Sequence, residues 1–151
     1  MKSGSTIFTY QVNNPEDYGI VTIKNNKILN IKEKPKNSKS NLAITGLYFF
    51  DKNVVNFSKK LKPSKRKELE IVDLIKKYLK IKKLKVEFMG RGSAWLDTGN
   101  AESLFETSQF ISSIEKRQGI KIACLEEIAL NNKLIFALLY PRTFNSLNCI
   151  L

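Results

Sequence analysis

The sequence contains no histidine and only two cysteines, Cys124 and Cys149. The absence of histidine excludes Ser/His and Cys/His nucleophilic mechanisms, histidine-based zinc sites and the usual general base near neutral pH. The two cysteines are 25 positions apart, which is not a metal-ligand spacing, so we expect two reduced thiols. The chemistry of the chain has to be sought outside these classes.

Long apolar runs are also missing. The longest covers residues 134–140, a run of 7, whereas a membrane-spanning helix needs about 20 apolar residues. The first residues read Met-Lys-Ser-Gly-Ser-Thr, without the apolar core of a secretory signal. With 42% apolar and 26% charged residues, the composition is that of a soluble globular protein. We therefore expect a cytoplasmic protein without a membrane partner.

Acidic residues are scarce, with 14 against 26 basic residues and a net charge of +12. A basic chain can be a nucleic-acid-binding module, which would bind DNA in a steeply salt-dependent way. However, 22 of the basic residues are lysine, whereas readers of bases and phosphates rely on the arginine fork. Residues 58–85 alone hold twelve basic and three acidic residues. We interpret this segment as a solvated lysine face and predict no nucleic-acid partner.

The first third of the chain has the pattern of β-structure. Residues 6–12 are rich in β-branched and aromatic side chains, which favours a strand. Residues 19–23 and 27–31 flank Asn25 and Asn26, a pair able to take positive φ, so a hairpin is predicted. The nearly unbroken apolar run at 42–50 predicts a strand buried on both faces, as in a parallel or mixed α/β sheet.

After Asp51 the period becomes helical. One apolar stripe at helical spacing comprises Ile71, Val72, Ile75, Tyr78 and Leu79. Lys76, Lys77 and Lys80 lie off that stripe, so we expect them on the solvent side of an amphipathic helix. Residues 84–89 follow as a predicted strand.

The last third is predicted to be mainly helical. Residues 94–97 are expected to form a short strand, and Asn100 is a candidate N-cap for a long helix that ends at Gly119. Residues 120–124 are expected to be extended, and residues 125–130 to form a short helix.

Two short segments carry candidate chemistry. Glu33, Lys34 and Pro35 stand where a predicted strand ends, a usual place for ligand contacts on an α/β sheet. The carboxylate could accept hydrogen bonds from sugar hydroxyls and the lysine could hold a phosphate, although a solvated loop would have the same sequence. Asp97 also follows an apolar pair and could bind Mg²⁺ or cap the next helix.

Six motifs occur in one order along the chain. They are Phe8-x-Tyr10-x-Val12-x-x-Pro15-Glu16-x-Tyr18-Gly19, Glu33-Lys34-Pro35-Lys36, Ser40-Asn41-x-Ala43-x-Thr45-Gly46-Leu47-Tyr48-Phe49, Pro63-Ser64-x-Arg66-x-Glu68-Leu69-Glu70-Ile71, Gly90-Arg91-Gly92-x-Ala94-Trp95-Leu96-Asp97-Thr98-Gly99 and Glu115-Lys116-Arg117-Gln118-Gly119-x-Lys121-x-Ala123-Cys124-Leu125-Glu126-Glu127-Ile128-Ala129. This ordered set resembles glucose-1-phosphate thymidylyltransferase of the bacterial dTDP-rhamnose pathway, over roughly residues 4–134.

The resemblance implies a partial three-layer, Rossmann-like α/β nucleotidyltransferase fold, with a mixed sheet, flanking helices and the N-terminal sheet units missing. Residues 1–135 would form the sugar-phosphate-binding and C-terminal part of that domain, and 136–151 a divergent tail of unknown structure. The implied reaction joins dTTP and glucose 1-phosphate into dTDP-glucose and pyrophosphate, in a cytoplasmic homotetramer that serves lipopolysaccharide and O-antigen synthesis. Positioning and charge neutralisation would supply the catalysis, without a protein nucleophile.

The resemblance also assigns roles to single residues. Lys34 and Arg66 would make the catalytic phosphate contacts. Asp97 would be one of two aspartates that bind Mg²⁺. The substrate pocket would comprise Gly19, Glu33, Ile44, Thr45, Tyr48 and Trp95. A regulatory nucleotide site would comprise Gly90, Arg91, Ile122, Ala123, Glu127 and Ile128, although Asn131 stands where some members have arginine.

The chain departs from the family in one respect that affects activity. Members open with a Gly-x-Gly-x-Arg-Leu loop that cradles the triphosphate, and this sequence contains no such motif. We therefore expect the chain alone to be inactive. The alternatives are a non-catalytic binding or regulatory partner of a complete thymidylyltransferase, and a related sugar-1-phosphate nucleotidyltransferase with another base preference.

Overall fold

The computed structural model describes residues 3–64 and 66–135, so the predicted tail at 136–151 lies outside the described residues. These residues form two compact units, and the chain passes from the first to the second between Trp95 and Leu96. No helix of the described part of the chain is long and apolar enough to cross a membrane.

The first unit is built on a five-stranded mixed sheet. Its strands are β1 (Ser5–Gln11), β2 (Gly19–Lys24), β3 (Lys27–Glu33), β4 (Leu42–Phe50) and β5 (Leu84–Phe88), in the order β3-β2-β4-β1-β5. β1 runs parallel to β5, while β1–β4, β2–β3 and β2–β4 are antiparallel pairs. A 3₁₀ turn at Pro15–Asp17 precedes β2. The mixed α/β sheet was predicted and is confirmed.

The β2–β3 hairpin is confirmed at its turn. Asn25 and Asn26 have φ of 49° and 57°, the left-handed pair that matches a two-residue turn to the twist of the flanking strands. The turn joins the Lys24–Lys27 pair. A register shift between Thr22 and Ile23 then places Glu33, at the end of the hairpin, opposite Gly19.

Strand β4 has the predicted bounds, but the prediction that both its faces are buried is wrong. Its N-terminal half contributes the buried Ala43, Ile44 and Thr45, whereas Leu47 and Phe49 are 50% and 55% exposed. Side chains alternate between the two faces of a strand, and the neighbouring Tyr48 and Phe50 take the face that packs on the core cluster. Leu47 and Phe49 therefore point to the opposite face.

Helix α1 (Val54–Ser58) leads to helix α2 (Ile71–Lys80), which supplies the helical half of the core. Val72, Leu74, Ile75 and Tyr78 of α2 are buried, whereas Ile71 remains 38% exposed. Val72 and Ile75 pack with four sheet residues, namely Ile7, Val21, Ile31 and Ile44. Each such buried side chain contributes roughly 1.5–3 kcal/mol, so α2 is held against the sheet by its apolar stripe.

A buried aspartate fastens the end of β4 to the rest of the unit. Asp51 accepts hydrogen bonds from the Gly4 N–H (2.7 Å), the Tyr78 hydroxyl (2.9 Å) and the Asn53 side chain (3.0 Å). The Gly4 amide, aided by these other donors, lowers the pKa of Asp51 to about 2. Burial and the bond to Asp51 raise the pKa of Tyr78 to about 12. Asp51 therefore stays ionised and Tyr78 stays neutral over a wide pH range.

The second unit consists of helix α3 (Ala101–Gln118) and helix α4 (Leu125–Asn131). The predicted N-cap is confirmed, because the Asn100 side chain accepts the Ser103 N–H at 2.9 Å in a capping box. The predicted end at Gly119 is also confirmed, with φ of 70° at this residue. Gly has no Cβ to oppose this left-handed conformation, which terminates helices.

Two predicted extended segments are not formed. Residues 94–97 have no strand pairing, and the Trp95 ring instead packs edge-on against Tyr18 at 5.0 Å. Residues 122 and 123 form a turn, with Ala123 at φ 52°. The Glu115 carboxylate holds this turn to α3, because it accepts the Ile122 N–H (3.0 Å) and pairs with Lys121 (2.9 Å).

Candidate functional site

The candidate site begins where β3 ends. Glu33 is the last residue of β3 and stands opposite Gly19 in the register. Lys34 has a positive φ of 40°, and its N–H donates to the Tyr18 carbonyl at 3.0 Å. The chain therefore turns sharply after the strand, and the Pro35 that follows lines the same cleft as Glu33.

Gly19 sits at a point of close packing beside the Glu33 carboxylate. A Cβ placed on Gly19 would lie 2.9 Å from Val72 Cγ2, 3.2 Å from Glu33 Oε2 and 3.6 Å from Ile44 Cδ1. The structure thus brings together the predicted Gly19, Glu33 and Ile44. It adds Val72 of α2 as their neighbour.

Arg66 reaches the same place from the loop that precedes α2. Its guanidinium nitrogens lie 3.9 Å from Glu33 Oε1, 3.7 Å from Glu70 Oε1 and 3.0 Å from Glu68 Oε2. Ser64 orders the loop, because its hydroxyl donates to Glu70 (2.9 Å) and accepts the Arg66 N–H (3.1 Å). Arg66 is thereby directed toward the end of β3.

These residues line an open cleft with a volume of ≈ 470 Å³. Its walls carry Lys32, Glu33, Lys34, Pro35, Ser64, Arg66, Glu70, Asp73 and Lys76. A half-buried carboxylate can accept two hydrogen bonds from neighbouring hydroxyls, and lysine and arginine can bind a phosphate. The cleft therefore has the groups for a ligand that is polyhydroxylated at one end and anionic at the other.

The surroundings of Glu33 raise the pKa of its carboxyl group on balance. Burial raises the pKa of Glu33, and the negative charge of Glu70 raises it further, while Lys34, Arg66 and Lys76 lower it. Burial also raises the pKa of Tyr48, with the Glu33 charge as the second cause. The phenol of Tyr48 thus stays protonated and can serve as a hydrogen-bond donor beside the cleft.

The remaining predicted pocket residues, Thr45, Tyr48 and Trp95, make contacts within the first unit. Thr45 is fully buried, and its hydroxyl donates to the Phe8 carbonyl at 3.2 Å. Tyr48 stacks on Phe50 with ring centroids 6.1 Å apart. Trp95 packs against Tyr18 and, at 6.1 Å, against Tyr10, so its ring belongs to an aromatic cluster of the first unit.

The predicted metal ligand Asp97 lies in the second unit and is exposed. Among the described residues no group of three cysteine, aspartate or glutamate side chains is arranged to hold a metal. Mg²⁺ is commonly bound by one or two carboxylates together with phosphate oxygens. Asp97 is suited to supply one such carboxylate. The described residues do not contain a complete set of protein ligands for Mg²⁺.

The predicted regulatory residues are divided between the two units. Gly90 and Arg91 line a separate cavity of ≈ 370 Å³ in the first unit, together with Tyr10 and Met89. In the second unit Ile122 and Ala123 belong to the turn before α4, and Glu127 and Ile128 lie on α4 itself. These role assignments stay predictions.

Sequence reasoning missed part of the cleft wall. Asp73 and Lys76 face the cleft and form an ion pair at 2.9 Å, whereas Lys76 was expected on the solvent side of the helix. Ser64 and Glu70 were present in a recognised motif but had no role. The only available signal was that Asp73 and Lys76 flank the apolar stripe at a spacing of three residues.

A family model identifies the class of protein to which this chain belongs. The family model "Nucleotidyl transferase" matches residues 1–114, and the chain therefore belongs to the nucleotidyl transferase family. Curated relatives specify the resemblance further. The glucose-1-phosphate thymidylyltransferase of Neisseria meningitidis is 52% identical over 130 residues, which are 85% of this chain and 45% of that protein. The enzyme of that name from Xanthomonas campestris is 48% identical over 129 residues, 85% of this chain and 44% of that protein.

Solved structures agree with this assignment. A Bacillus anthracis protein described as a glucose-1-phosphate thymidylyltransferase, in complex with sucrose, has a TM-score of 0.65 and 40% identity. The similarity covers 72% of this chain and 44% of that one. A UDP-glucose pyrophosphorylase complexed with UDP-glucose has a TM-score of 0.63 at 24% identity, over 73% of this chain and 44% of that one; this likeness concerns the fold. The predicted nucleotidyltransferase fold is confirmed.

The chain spans less than half the length of the relatives it matches. The homotetramer, the cytoplasmic location and the absence of nucleic-acid and membrane partners stay predictions.

Proposed function

We propose that this chain carries the sugar-1-phosphate-binding part of a glucose-1-phosphate thymidylyltransferase. The observation that carries the proposal is the cleft at the end of β3, where Glu33, Lys34 and Arg66 line one cavity. The names of the curated relatives support glucose 1-phosphate as the ligand and dTTP as the second substrate.

The arrangement suits this ligand in both of its parts. Glu33, held by the β2–β3 register against Gly19, would accept hydrogen bonds from neighbouring sugar hydroxyls. Arg66 would exchange part of its pairing with Glu68 and Glu70 for the phosphate. The guanidinium of Arg66 can bind a phosphate through two parallel hydrogen bonds. This bidentate contact is stronger and more directional than a neutral hydrogen bond. The polar walls would thus hold both ends of the sugar phosphate.

In the complete reaction an oxygen of the sugar phosphate would attack the α-phosphorus of dTTP. The bond from that phosphorus to the bridging oxygen breaks, and pyrophosphate leaves with the bonding electrons. The residues of this chain would orient the attacking oxygen and offset its charge, which is where catalysis of phosphoryl transfer mostly lies. Asp97 would offer one carboxylate to Mg²⁺, which when bound neutralises charge on the phosphates.

Calorimetric titration with glucose 1-phosphate and with inorganic phosphate tests the binding proposal. Glu33→Gln should weaken glucose 1-phosphate binding by about 10- to 100-fold, the scale of a hydrogen bond to a charged group, and leave phosphate binding nearly unchanged. Arg66→Gln should weaken both ligands. Glu16→Gln and Lys80→Gln change the same charges on exposed positions and serve as matched controls.

Equal losses for Glu33→Gln and Glu16→Gln would contradict the proposal. A pyrophosphate-release assay with dTTP, Mg²⁺ and glucose 1-phosphate addresses turnover separately. We expect the 151-residue chain alone to bind the sugar phosphate without turnover, because its sequence contains no Gly-x-Gly-x-Arg-Leu loop.

A further inference from the structure

Helix α2 contributes a lysine, Lys76, to the wall of the cleft. Val72 Cγ2 and Glu33 Oε2 both lie within 3.2 Å of the Cβ position of Gly19, so the first turn of α2 packs directly beside Glu33. Lys76 follows Val72 by four residues, and residues at this spacing are neighbours on one helix face. Lys76 and Glu33 both line the cleft.

A second contact holds this lysine in place. Lys76 Nζ pairs with Asp73 Oδ1 at 2.9 Å, and Asp73 also lines the cleft. Lysine side chains have high rotamer entropy, and the ion pair restricts that freedom. The ammonium group is thus kept at the cleft wall.

The surroundings of Glu33 raise its pKa on balance, while Lys34, Arg66 and, less strongly, Lys76 favour the charged carboxylate. The titratable groups around it are Lys34 just after β3, Tyr48 of β4, Arg66 and Glu70 in the loop before α2, and Lys76 of α2 with its partner Asp73. Burial and Glu70 both disfavour the charged carboxylate. Arg66 divides its charge among three carboxylates.

We propose that Lys76 is a positioning residue that adds to Lys34 and Arg66 in favouring the ionised Glu33 carboxylate, which can accept two hydrogen bonds from a sugar. The effect of Lys76 on sugar binding rests on the proposed function. The effect of Lys76 on the ionisation of Glu33 concerns the protein without ligand. Lys76 acts through Glu33 and needs no contact with the ligand. Its charge would extend sugar-phosphate binding to lower pH.

The first test measures Glu33 without any ligand. ¹³C NMR follows the Glu33 carboxyl through an acid titration, with Glu33→Gln used to assign the signal. Lys76→Gln should raise the pKa of Glu33, Lys76→Arg should restore it, and Lys80→Gln should leave it unchanged. Lys80 is the matched control because it lies one turn further along α2 and is exposed.

The second test measures glucose 1-phosphate affinity by calorimetry across the acid range. Lys76→Gln should move the pH midpoint of binding upward, with a loss of about threefold or more where Glu33 titrates, the scale of one unit charge across a solvent-lined cleft. The plateau at higher pH should be unchanged. Ionisation of the ligand phosphate is common to both proteins and cancels in the comparison.

Two results would overturn the inference: a Glu33 pKa that does not respond to Lys76→Gln, or a lowered plateau with an unmoved midpoint, which would indicate a direct phosphate contact. If the wild-type chain does not bind glucose 1-phosphate at all, the proposed function fails. The NMR titration then still decides the role of Lys76. The two failures are therefore distinguishable.

Discussion

Replacing Gly19 with alanine probes how closely α2 and the Glu33 carboxylate pack around the start of β2. The new Cβ would lie 2.9 Å from Val72 Cγ2 and 3.2 Å from Glu33 Oε2, inside the roughly 3.5–4.0 Å of favourable carbon contacts. Val72 is only 2% exposed, so it has little room to move. The substitution should therefore both strain the core and displace the carboxylate.

The expected magnitude follows from two opposing effects. Overpacking a filled core costs about 1–3 kcal/mol, and a Gly→Ala change at an unstrained backbone position returns roughly 0.4–1 kcal/mol through the unfolded chain. We expect Gly19→Ala to lower the free energy of unfolding by about 1–2 kcal/mol. With a urea dependence of about 1–3 kcal/mol per molar, the unfolding midpoint should fall by roughly 1 M.

The assay is urea unfolding followed by circular dichroism. Gly46→Ala is the matched control, because a Cβ at Gly46 in β4 meets nothing within 4 Å. In a double mutant with Val72→Ala the two losses should be less than additive, with a coupling of about 0.5–3 kcal/mol. An unfolding midpoint for Gly19→Ala as high as that of Gly46→Ala would refute the packing argument.

Four further substitutions test the pH dependence of stability and the two ends of helix α3. The pKa of Asp51 is lowered to about 2 in the folded protein, against about 3.8 when unfolded. Its contribution to the free energy of unfolding is therefore complete above pH 3.8 and is lost as pH falls through 2. Asp51→Asn should flatten the acid-unfolding curve between these two pH values. The pKa of Tyr78 is raised to about 12, so its contribution is complete below pH 10 and lost as pH rises through 12, and Tyr78→Phe should remove that alkaline dependence. In α3, Asn100→Ala should cost about 1 kcal/mol of helix stability through the lost cap. Gly119→Ala should cost roughly 1–2 kcal/mol through its left-handed backbone, and amide hydrogen exchange at the two helix ends measures both.

Much of the local structure could be predicted because single residues determine it. Asn25 and Asn26 favour positive φ, Asn100 has a side-chain acceptor for a cap, and Gly119 tolerates a left-handed conformation; each signal was correct. The sheet order was not predictable in the same way. β1 pairs with β4 and β5, which lie far along the chain, and no local pattern encodes such pairings. Which face of the sheet is covered is also a tertiary fact, and Leu47 and Phe49, on the face opposite to Tyr48 and Phe50, were wrongly expected to be buried.

The candidate site was predictable from the sequence only in part. The β2–β3 hairpin was predictable, but the pairing of Gly19 with Glu33 depends on a register shift between Thr22 and Ile23 that the turn residues do not encode. The approach of Arg66 depends on the loop hydrogen bonds of Ser64, and the approach of Lys76 depends on how α2 packs against β3. These are tertiary facts, so a helical pattern alone placed Lys76 on the solvent side.

The central claim is that the cleft at the end of β3 binds a sugar 1-phosphate. Titration of the ¹⁵N-labelled chain with glucose 1-phosphate tests it most directly, because every backbone amide near the ligand reports on binding. We predict saturable shifts at Lys34, Arg66 and Glu70, and none at the cavity around Lys116 and Lys121 in the second unit. Shifts confined to that second cavity, or no saturable shifts at all, would contradict the account.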